Sequence, residues 1–172
     1  YLGLLGQLTE LMKADPLPVS GTAIELGTFL MSGCTGNSRK EGPPALRILI
    51  EEVKDRVKRG VGVVERGAPR VLILLGHFSD PSIEHLYEEA GLADAAMLFS
   101  LPVSLTDHAE TKYQTMGEVL AEREMRLGWY HSNFGFAKRA EQIIKKVSEE
   151  FNIDGVIWNY TYNCRPMAQT SH

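Results

Sequence analysis

Residues 70–76 constrain the fold more than any other segment, because five large apolar residues follow one another after Arg70 without a polar interruption. A strand with one solvated face alternates apolar and polar residues, whereas a strand buried on both faces forms a continuous apolar run. Strands of that kind occur in parallel sheets covered by helices on both sides. The segment therefore predicts a buried strand of a parallel sheet.

Strand and helix patterns alternate from residue 69 onwards. The order implies crossover connections and a doubly wound parallel sheet of flavodoxin-like outline, an α/β fold. Thr106 and Asp107 form a cap-like pair ahead of a long helix. The predicted elements are strands at residues 70–76, 95–101 and 155–160, and helices at residues 81–90, 107–126 and 133–151.

The chain before this sheet carries helical signals. An opening helix is expected to stop near Asp15, where prolines follow, and a second helix to begin after Ser20, a good N-cap. Pro43 and Pro44 are expected to open a third helix that ends near Gly60. We expect a helical linker segment at residues 1–62 and a central α/β domain at residues 63–172.

Composition and charge exclude several classes of protein. The net charge of −4 and the interleaving of basic with acidic residues argue against a nucleic-acid partner. No apolar stretch approaches the length of about 18 residues that suggests a membrane span. The start at Tyr1 has neither an initiator Met nor a basic leader, so we expect a piece cut from a longer protein. With two distant cysteines and no disulfide framework, we expect a reducing, cytoplasmic setting. Cys34 and Cys164 lie far apart, which predicts neither a disulfide framework nor a metal site complete within the chain.

The loops that follow the three predicted strands are the expected ligand site, because open parallel sheets bind ligands beyond the carboxyl ends of their strands. If the strand order is 2-1-3, the first and third loops flank one crevice and bring His77 and Cys164 to the same side. Gly76 could also begin a phosphate-binding loop. The sequence favours a simple strand-to-helix turn there, capped by Ser79 or Asp80, because no further glycine or Lys-Ser/Thr pair follows.

Cys164 lies in a polar and aromatic loop after the third predicted strand. Taken alone it has three interpretations: a small buried apolar side chain, a metal ligand, or a nucleophile whose thiolate is favoured by the neighbouring Arg165. His77 and His131 are candidate bases for the nucleophile. Cys34 lies in a Gly/Ser/Thr/Asn-rich loop, and we interpret its position as incidental.

Three stretches together resemble the family of 2-hydroxyacyl-CoA dehydratases, which includes the subunits of ATP-dependent benzoyl-CoA reductase. Residues 154–166, DGVIWNYTYNCRP, are similar to the family's "DGVI…C+P" segment, which is the most specific of the three. Residues 17–21 are similar to its "P-x-P-h-S-G" linker, and residues 69–76 to its first strand. The chain is thereby identified as the central part of a subunit like the D-component of 2-hydroxyglutaryl-CoA dehydratase.

The resemblance implies that Cys164 is one of three cysteines that hold a 4Fe–4S cluster, with the fourth iron left for a non-protein ligand or substrate. Such a cluster would transfer one electron to the thioester of an acyl-CoA and produce a ketyl radical. The implied partners are a homologous second subunit, an ATP-dependent iron–sulfur activator protein and the acyl-CoA substrate. Gly76, His77, Asn163 and Arg165 are the candidate substrate-binding residues.

The sequence departs from the family pattern because the other two cysteine ligands are expected outside it, and Cys34 lies in the wrong segment to replace either. One thiolate cannot hold such a cluster, so we expect no cluster and no activity on this chain alone. The resembled family continues with at least one more strand, which implies that the central domain is cut short at its C-terminus. The alternative function is a non-catalytic module that binds a CoA ester or phosphoryl group. A receiver-like domain is disfavoured, because His77 stands where paired aspartates would be needed. Both 2-hydroxyacyl-CoA and aromatic acyl-CoA substrates stay open.

Overall fold

The computed structural model describes residues 2–24, 38–74, 82–98, 115–118 and 136–158. Within these residues the strands are β1, Arg70–Leu74; β2, Ala93–Leu98; and β3, Gly155–Trp158. The helices are α1, Leu2–Leu11; α2, Ser38–Arg59; α3, Ser82–Glu89; and α4, Phe136–Phe151. A further short helical stretch covers residues 21–24.

The three strands form one parallel sheet in the order β2-β1-β3. The central strand is β1, as its uninterrupted apolar sequence predicts. At its carboxyl end Leu74 pairs with Leu98 of β2 and with Trp158 of β3, so all three strands reach the same level. The predicted α/β fold, with a helical segment ahead of a parallel sheet, is confirmed.

Both faces of β1 are buried, and each contributes to a different apolar cluster. Leu72 and Leu74 pack with Phe151 and Val147 of α4 and with residues from the N-terminal segment. Ile73, on the opposite face, packs with Val71, Met97, and Tyr87 of α3. Burial of each large aliphatic side chain contributes about 1.5–3 kcal/mol, so the strand is held from both sides.

The N-terminal helices pack on each other and also on the sheet. A cluster between α1 and α2 is made by residues that share the inner faces of the two helices: Leu5, Leu8, Leu46, Ile50 and Val53. Met12 and Leu17, which follow α1, belong to the same buried cluster as Leu72 of β1. The helical segment is therefore fixed directly to one face of the sheet, while the proposed domain boundary at residue 62 stays a prediction.

Gly60 and Gly91 end α2 and α3, and both have the positive φ that a left-handed C-terminal residue needs, +66° and +71°. After Gly60 the N–H of Val61 donates to the carbonyl of Arg56 at 2.9 Å, which closes a Schellman motif. The prediction that the third helix ends near Gly60 is confirmed.

The predicted start of the third helix is wrong. The helix α2 begins at Ser38, so Pro43 and Pro44 lie inside it instead of opening it. The fixed φ of proline is itself helical, but each proline removes one backbone hydrogen bond and crowds the carbonyl four residues earlier, so the pair disfavours the opening turns of α2. Of the helix predicted for residues 107–126, the structure describes residues 115–118, which form a capping box: Thr115 Oγ1 accepts from the Glu118 N–H, and the Glu118 carboxylate accepts from the Thr115 N–H. The predicted bounds of that helix lie outside the described residues.

Strand β2 begins at Ala93, two residues earlier than predicted, and thus includes Asp94. An acidic residue is unusual in a buried strand, which is why the pattern seemed to start after it. The register of β2 against β1 shifts between Val71 and Leu72, so that Ala95 is an extra residue in β2, a β-bulge.

Candidate functional site

The carboxyl ends of β1 and β3 define the candidate site. Leu74 pairs with Trp158, so the loops that leave these two residues start from adjacent strands, about 4.8 Å apart. The chain passes from β1 to β2 on one side and then returns across β1 to β3 on the other. The order of connection therefore reverses between β1 and β3, which is the position where open α/β sheets bind ligands.

The candidate residues follow these strand ends closely in sequence, although they lie outside the described part of the chain. His77 comes three residues after Leu74, and Cys164 comes six residues after Trp158. Gly76 belongs to the first predicted loop, and Asn163 and Arg165 belong to the third; Cys34 and His131 also lie outside the described ranges. The observed strand order is the 2-1-3 order on which the expectation depended, and it brings the ends of β1 and β3 together.

Arg70 anchors the opposite end of β1. Its guanidinium donates to three backbone carbonyls: Nε to Phe151 at 2.7 Å, Nη2 to Met12 at 2.9 Å and Nη1 to Ala14 at 3.1 Å. The Phe151 and Met12 carbonyls lie at or just beyond the C-terminal ends of α4 and α1, where helices leave such acceptors unpaired. A cation is also favoured there by the helix dipoles. One side chain thus joins two helix ends to the start of the central strand.

Arg70 is buried, and burial lowers the pKa of its guanidinium from the ordinary value. The carboxylates of Asp15 and Asp154 act in the opposite direction. Arginine keeps its proton throughout the physiological range, so the side chain is a permanent cation at this junction.

Asp154 fixes the start of β3 beside Arg70. Its carboxylate Oδ2 accepts the backbone N–H of Arg70 at 2.8 Å, and its own backbone N–H donates to the Arg70 carbonyl at 2.8 Å. These two bonds come immediately before the first pair of the ladder, Val71 with Gly155. The sequence identified Asp154 as the first residue of the "DGVI" motif but did not predict its hydrogen bond to Arg70. The position of an aspartate just ahead of a predicted strand was the feature that could have indicated this role.

The motif at residues 17–21 has a structural explanation in the packing against β2. Ser20 Oγ accepts the N–H of Ala23 at 3.1 Å, so the predicted N-cap is confirmed. A Cβ on Gly21 would lie 2.9 Å from the backbone oxygen of Asp94, a distance that real Cβ atoms avoid. The Asp94 carboxylate accepts the backbone N–H of Thr22 at 2.8 Å and also its hydroxyl. Sequence reasoning missed this contact between distant segments.

A family model for the 2-hydroxyglutaryl-CoA dehydratase D-component matches residues 3–172 of the sequence. The chain belongs to this dehydratase D-component family. The resemblance inferred from residues 154–166, 17–21 and 69–76 is thereby confirmed at the level of the family. A comparison with curated proteins gave no match.

Because the chain belongs to the D-component family, its cysteines are candidate ligands of an iron–sulfur cluster. A cluster of the 4Fe–4S type is held by cysteine thiolates, and the sequence contains Cys34 and Cys164. In sequence, Cys164 follows the described strand β3, whose last residue pairs with the end of β1, whereas Cys34 precedes α2. The residues present therefore fit one ligand position of such a cluster. Within the described ranges no group of three or more His, Cys, Asp or Glu side chains is placed to hold a metal ion.

A shallow groove of about 610 Å³ is lined by residues 62–68, Glu88 and Gly91, which precede β1 and β2. It therefore lies towards the amino ends of these strands, away from the crevice between the β1 and β3 loops. Among the helices of the described residues, none is long and apolar enough to cross a membrane.

Proposed function

We propose that this chain is part of an iron–sulfur acyl-CoA dehydratase or reductase subunit, in which Cys164 supplies one thiolate ligand of a 4Fe–4S cluster. Membership of the D-component family supports the enzyme class. The observation that carries the location is the pairing of Leu74 with Trp158, because it starts the His77 and Cys164 loops from adjacent strands at the switch point of the sheet.

The residues of this chain would bind and orient, while the cofactor supplies the redox step. When bound, a 4Fe–4S cluster supplies single-electron transfer to the thioester of an acyl-CoA. Cys164 would hold one iron from the β3 loop. Gly76, His77, Asn163 and Arg165 would line the same crevice, where a backbone N–H, an imidazole, an amide and a guanidinium offer donors to the carbonyl and phosphate oxygens of a CoA ester.

The proposed partners follow from the same enzyme class. They are a homologous second subunit, an ATP-dependent iron–sulfur activator protein that delivers the electron, and the acyl-CoA substrate. Both a 2-hydroxyacyl-CoA and an aromatic acyl-CoA are compatible with the residues proposed for the crevice, since these residues address the shared CoA thioester.

A second candidate function is a non-catalytic module that binds a CoA ester or phosphoryl group. It is favoured by the same strand order, because a switch-point crevice between parallel strands binds phosphorylated ligands without any cluster. This candidate needs no iron and makes Cys164 dispensable.

The deciding experiment uses the full-length protein, produced and purified without oxygen. We expect the wild-type protein to contain iron and sulfide and to give an electron paramagnetic resonance signal when reduced. Cys164→Ser is expected to lose most of the iron, whereas Cys34→Ser, the same change in the other cysteine of the chain, is expected to keep it. A wild-type protein without iron, or equal iron in the Cys164→Ser form, would contradict the proposal and favour the binding module.

A further inference from the structure

We propose that Asp154 and Arg70 are positioning residues, which set the register of β3 against β1 and thereby hold the Cys164 loop beside the His77 loop. The inference rests on the proposed function for the role of Cys164. Its structural part concerns the described residues alone: a polar contact at the amino end of the sheet determines where the loop at the carboxyl end begins.

Apolar burial specifies the register of β3 only weakly. Val156 and Trp158 are 47% and 39% exposed, and Ile157 is the one β3 residue that packs against a described core cluster. In β2, by contrast, every residue from Ala93 to Met97 is buried. Because register is strongly specified where a face is buried and weakly where it is not, β3 needs another determinant.

The contacts of Arg70 and Asp154 supply that determinant. The carboxylate of Asp154 and its backbone N–H together engage both backbone polar groups of Arg70, each at 2.8 Å. The Arg70 side chain also donates to the carbonyl of Phe151, which is the last residue of α4 and lies three residues before Asp154. A shift of β3 by one residue would break both the backbone bond from the Asp154 N–H to the Arg70 carbonyl and the carboxylate contact with the Arg70 N–H.

The length of such a shift shows why register matters for the proposed site. One residue along a parallel strand is about 3.3 Å, and a one-residue shift also turns every side chain to the other face. A metal site tolerates deviations of only about 0.2 Å in its ligand distances. A misplaced β3 would therefore carry Cys164 out of reach of a cluster held by the other ligands.

The test compares three variants of the full-length protein with the wild type. Asp154→Ala removes the carboxylate, and Asp154→Asn keeps one acceptor oxygen for the Arg70 N–H. Asp15→Ala is the matched control: Asp15 also accepts a backbone N–H, that of Gly67 at 2.9 Å, and also acts on Arg70, but its contact is not with β3.

The first measurement is amide hydrogen exchange in residues 155–158, with residues 93–98 of β2 as the internal reference. Asp154→Ala is expected to speed exchange in residues 155–158 by about tenfold or more, because the hydrogen bond between the charged carboxylate and the Arg70 N–H at the start of the ladder is lost. Asp154→Asn should lie between Asp154→Ala and the wild type, and Asp15→Ala should leave these amides unchanged. The inference would be overturned if residues 155–158 exchanged at the wild-type rate in Asp154→Ala, or if the alanine and asparagine changes had equal effects on that rate.

The second measurement is iron content and the paramagnetic resonance spectrum of the reduced protein. Asp154→Ala is expected to lose iron or change the spectrum, with recovery in Asp154→Asn, while Asp15→Ala keeps the wild-type values. Equal iron loss in Asp154→Ala and Asp15→Ala would indicate general destabilisation and overturn the positioning role. A wild-type protein without iron would refute the proposed function, and the exchange measurement would still decide the register part.

Discussion

The Asp94 carboxylate on β2 accepts a 2.8 Å hydrogen bond from the backbone N–H of Thr22, 72 residues earlier in the chain. The Thr22 hydroxyl donates to the same carboxylate oxygen. Because Thr22 lies in the first turn of a helical stretch, the carboxylate also meets the positive end of the backbone dipoles. This contact joins the N-terminal helical segment to the outer strand of the sheet.

Thr22→Val is expected to lower the free energy of unfolding by about 1.5–3 kcal/mol, because it removes a buried donor to a charged carboxylate while keeping the side-chain shape. Urea denaturation measures the loss. Thr9→Val is the matched control, since Thr9 is equally buried but its hydroxyl donates to the uncharged carbonyl of Leu5 within α1. The control should cost about 1 kcal/mol or less. Equal losses would show that the Asp94 contact adds nothing beyond an ordinary hydrogen bond.

Gly21→Ala is expected to destabilise the chain by about 1–3 kcal/mol, because the new methyl group would press against the backbone of Asp94 and Ala96 in β2. Gly3→Ala provides the control: Gly3 lies within α1, and a Cβ there meets nothing within 4 Å. That change should raise stability by about 0.5–1 kcal/mol, since alanine is the better helix former. Thermal unfolding of both variants would reveal the opposite signs, and a neutral Gly21→Ala would argue against the close approach.

Arg70→Met is expected to cost about 3–5 kcal/mol, because it removes the cation that three buried or partly buried carbonyls share. Arg70→Lys should recover only part of this loss, since one ammonium group cannot reproduce the planar fork that serves separate acceptors. Arg59→Met, at an exposed ion pair with Asp55, should change stability by about 0.5 kcal/mol or less. Guanidinium denaturation of the three variants gives the ranking, and full recovery by lysine would contradict the fork geometry.

A pH-dependent effect is expected at the exposed Glu141–Lys145 pair of α4, where the Lys145 hydrogen bond lowers the pKa of Glu141. A carboxylate with a lowered pKa stabilises the folded state above its ordinary pKa, and the contribution is lost as pH falls through the lowered value. Glu141→Gln should therefore reduce the melting temperature slightly at pH 7 and leave it unchanged in strong acid. Because the pair is exposed, 1 M salt should remove the difference. A difference that persists in acid would assign the effect to something other than this charge.

The sequence predicted those parts of the fold that depend on local pattern. The apolar run of β1 predicted a strand buried on both sides, and Ser20 and Gly60 predicted a helix start and a helix end, because each acts within a few residues. The contact between Thr22 and Asp94 depends on the packing of segments distant in the chain. No periodicity marks such a pair, and the acidic residue instead moved the predicted start of β2.

The sequence could predict where in the fold the candidate site lies, but not which side-chain contacts form it. The alternation of strands and helices predicted a parallel sheet, and the order 2-1-3 was the condition for bringing the His77 and Cys164 segments to one side; the observed sheet has that order. The register of β3 could not be predicted, since it depends on the contact of Asp154 with Arg70, 84 residues away. The roles of Gly76, Asn163 and Arg165 stay predictions for the same physical reason: loop side chains are arranged by tertiary contacts.

The approach of Gly21 to β2 also determines how this sheet can associate. The Ala93 N–H donates to the Pro69 carbonyl and so faces β1, which turns the Asp94 carbonyl to the outer side, where Gly21 lies. The turn at residues 20–22 thus covers the free backbone edge that would otherwise pair with another chain. Within the described residues, a strand that paired with β2 at Asp94 would have to displace this turn. The turn therefore protects this point of β2 from the addition of another strand.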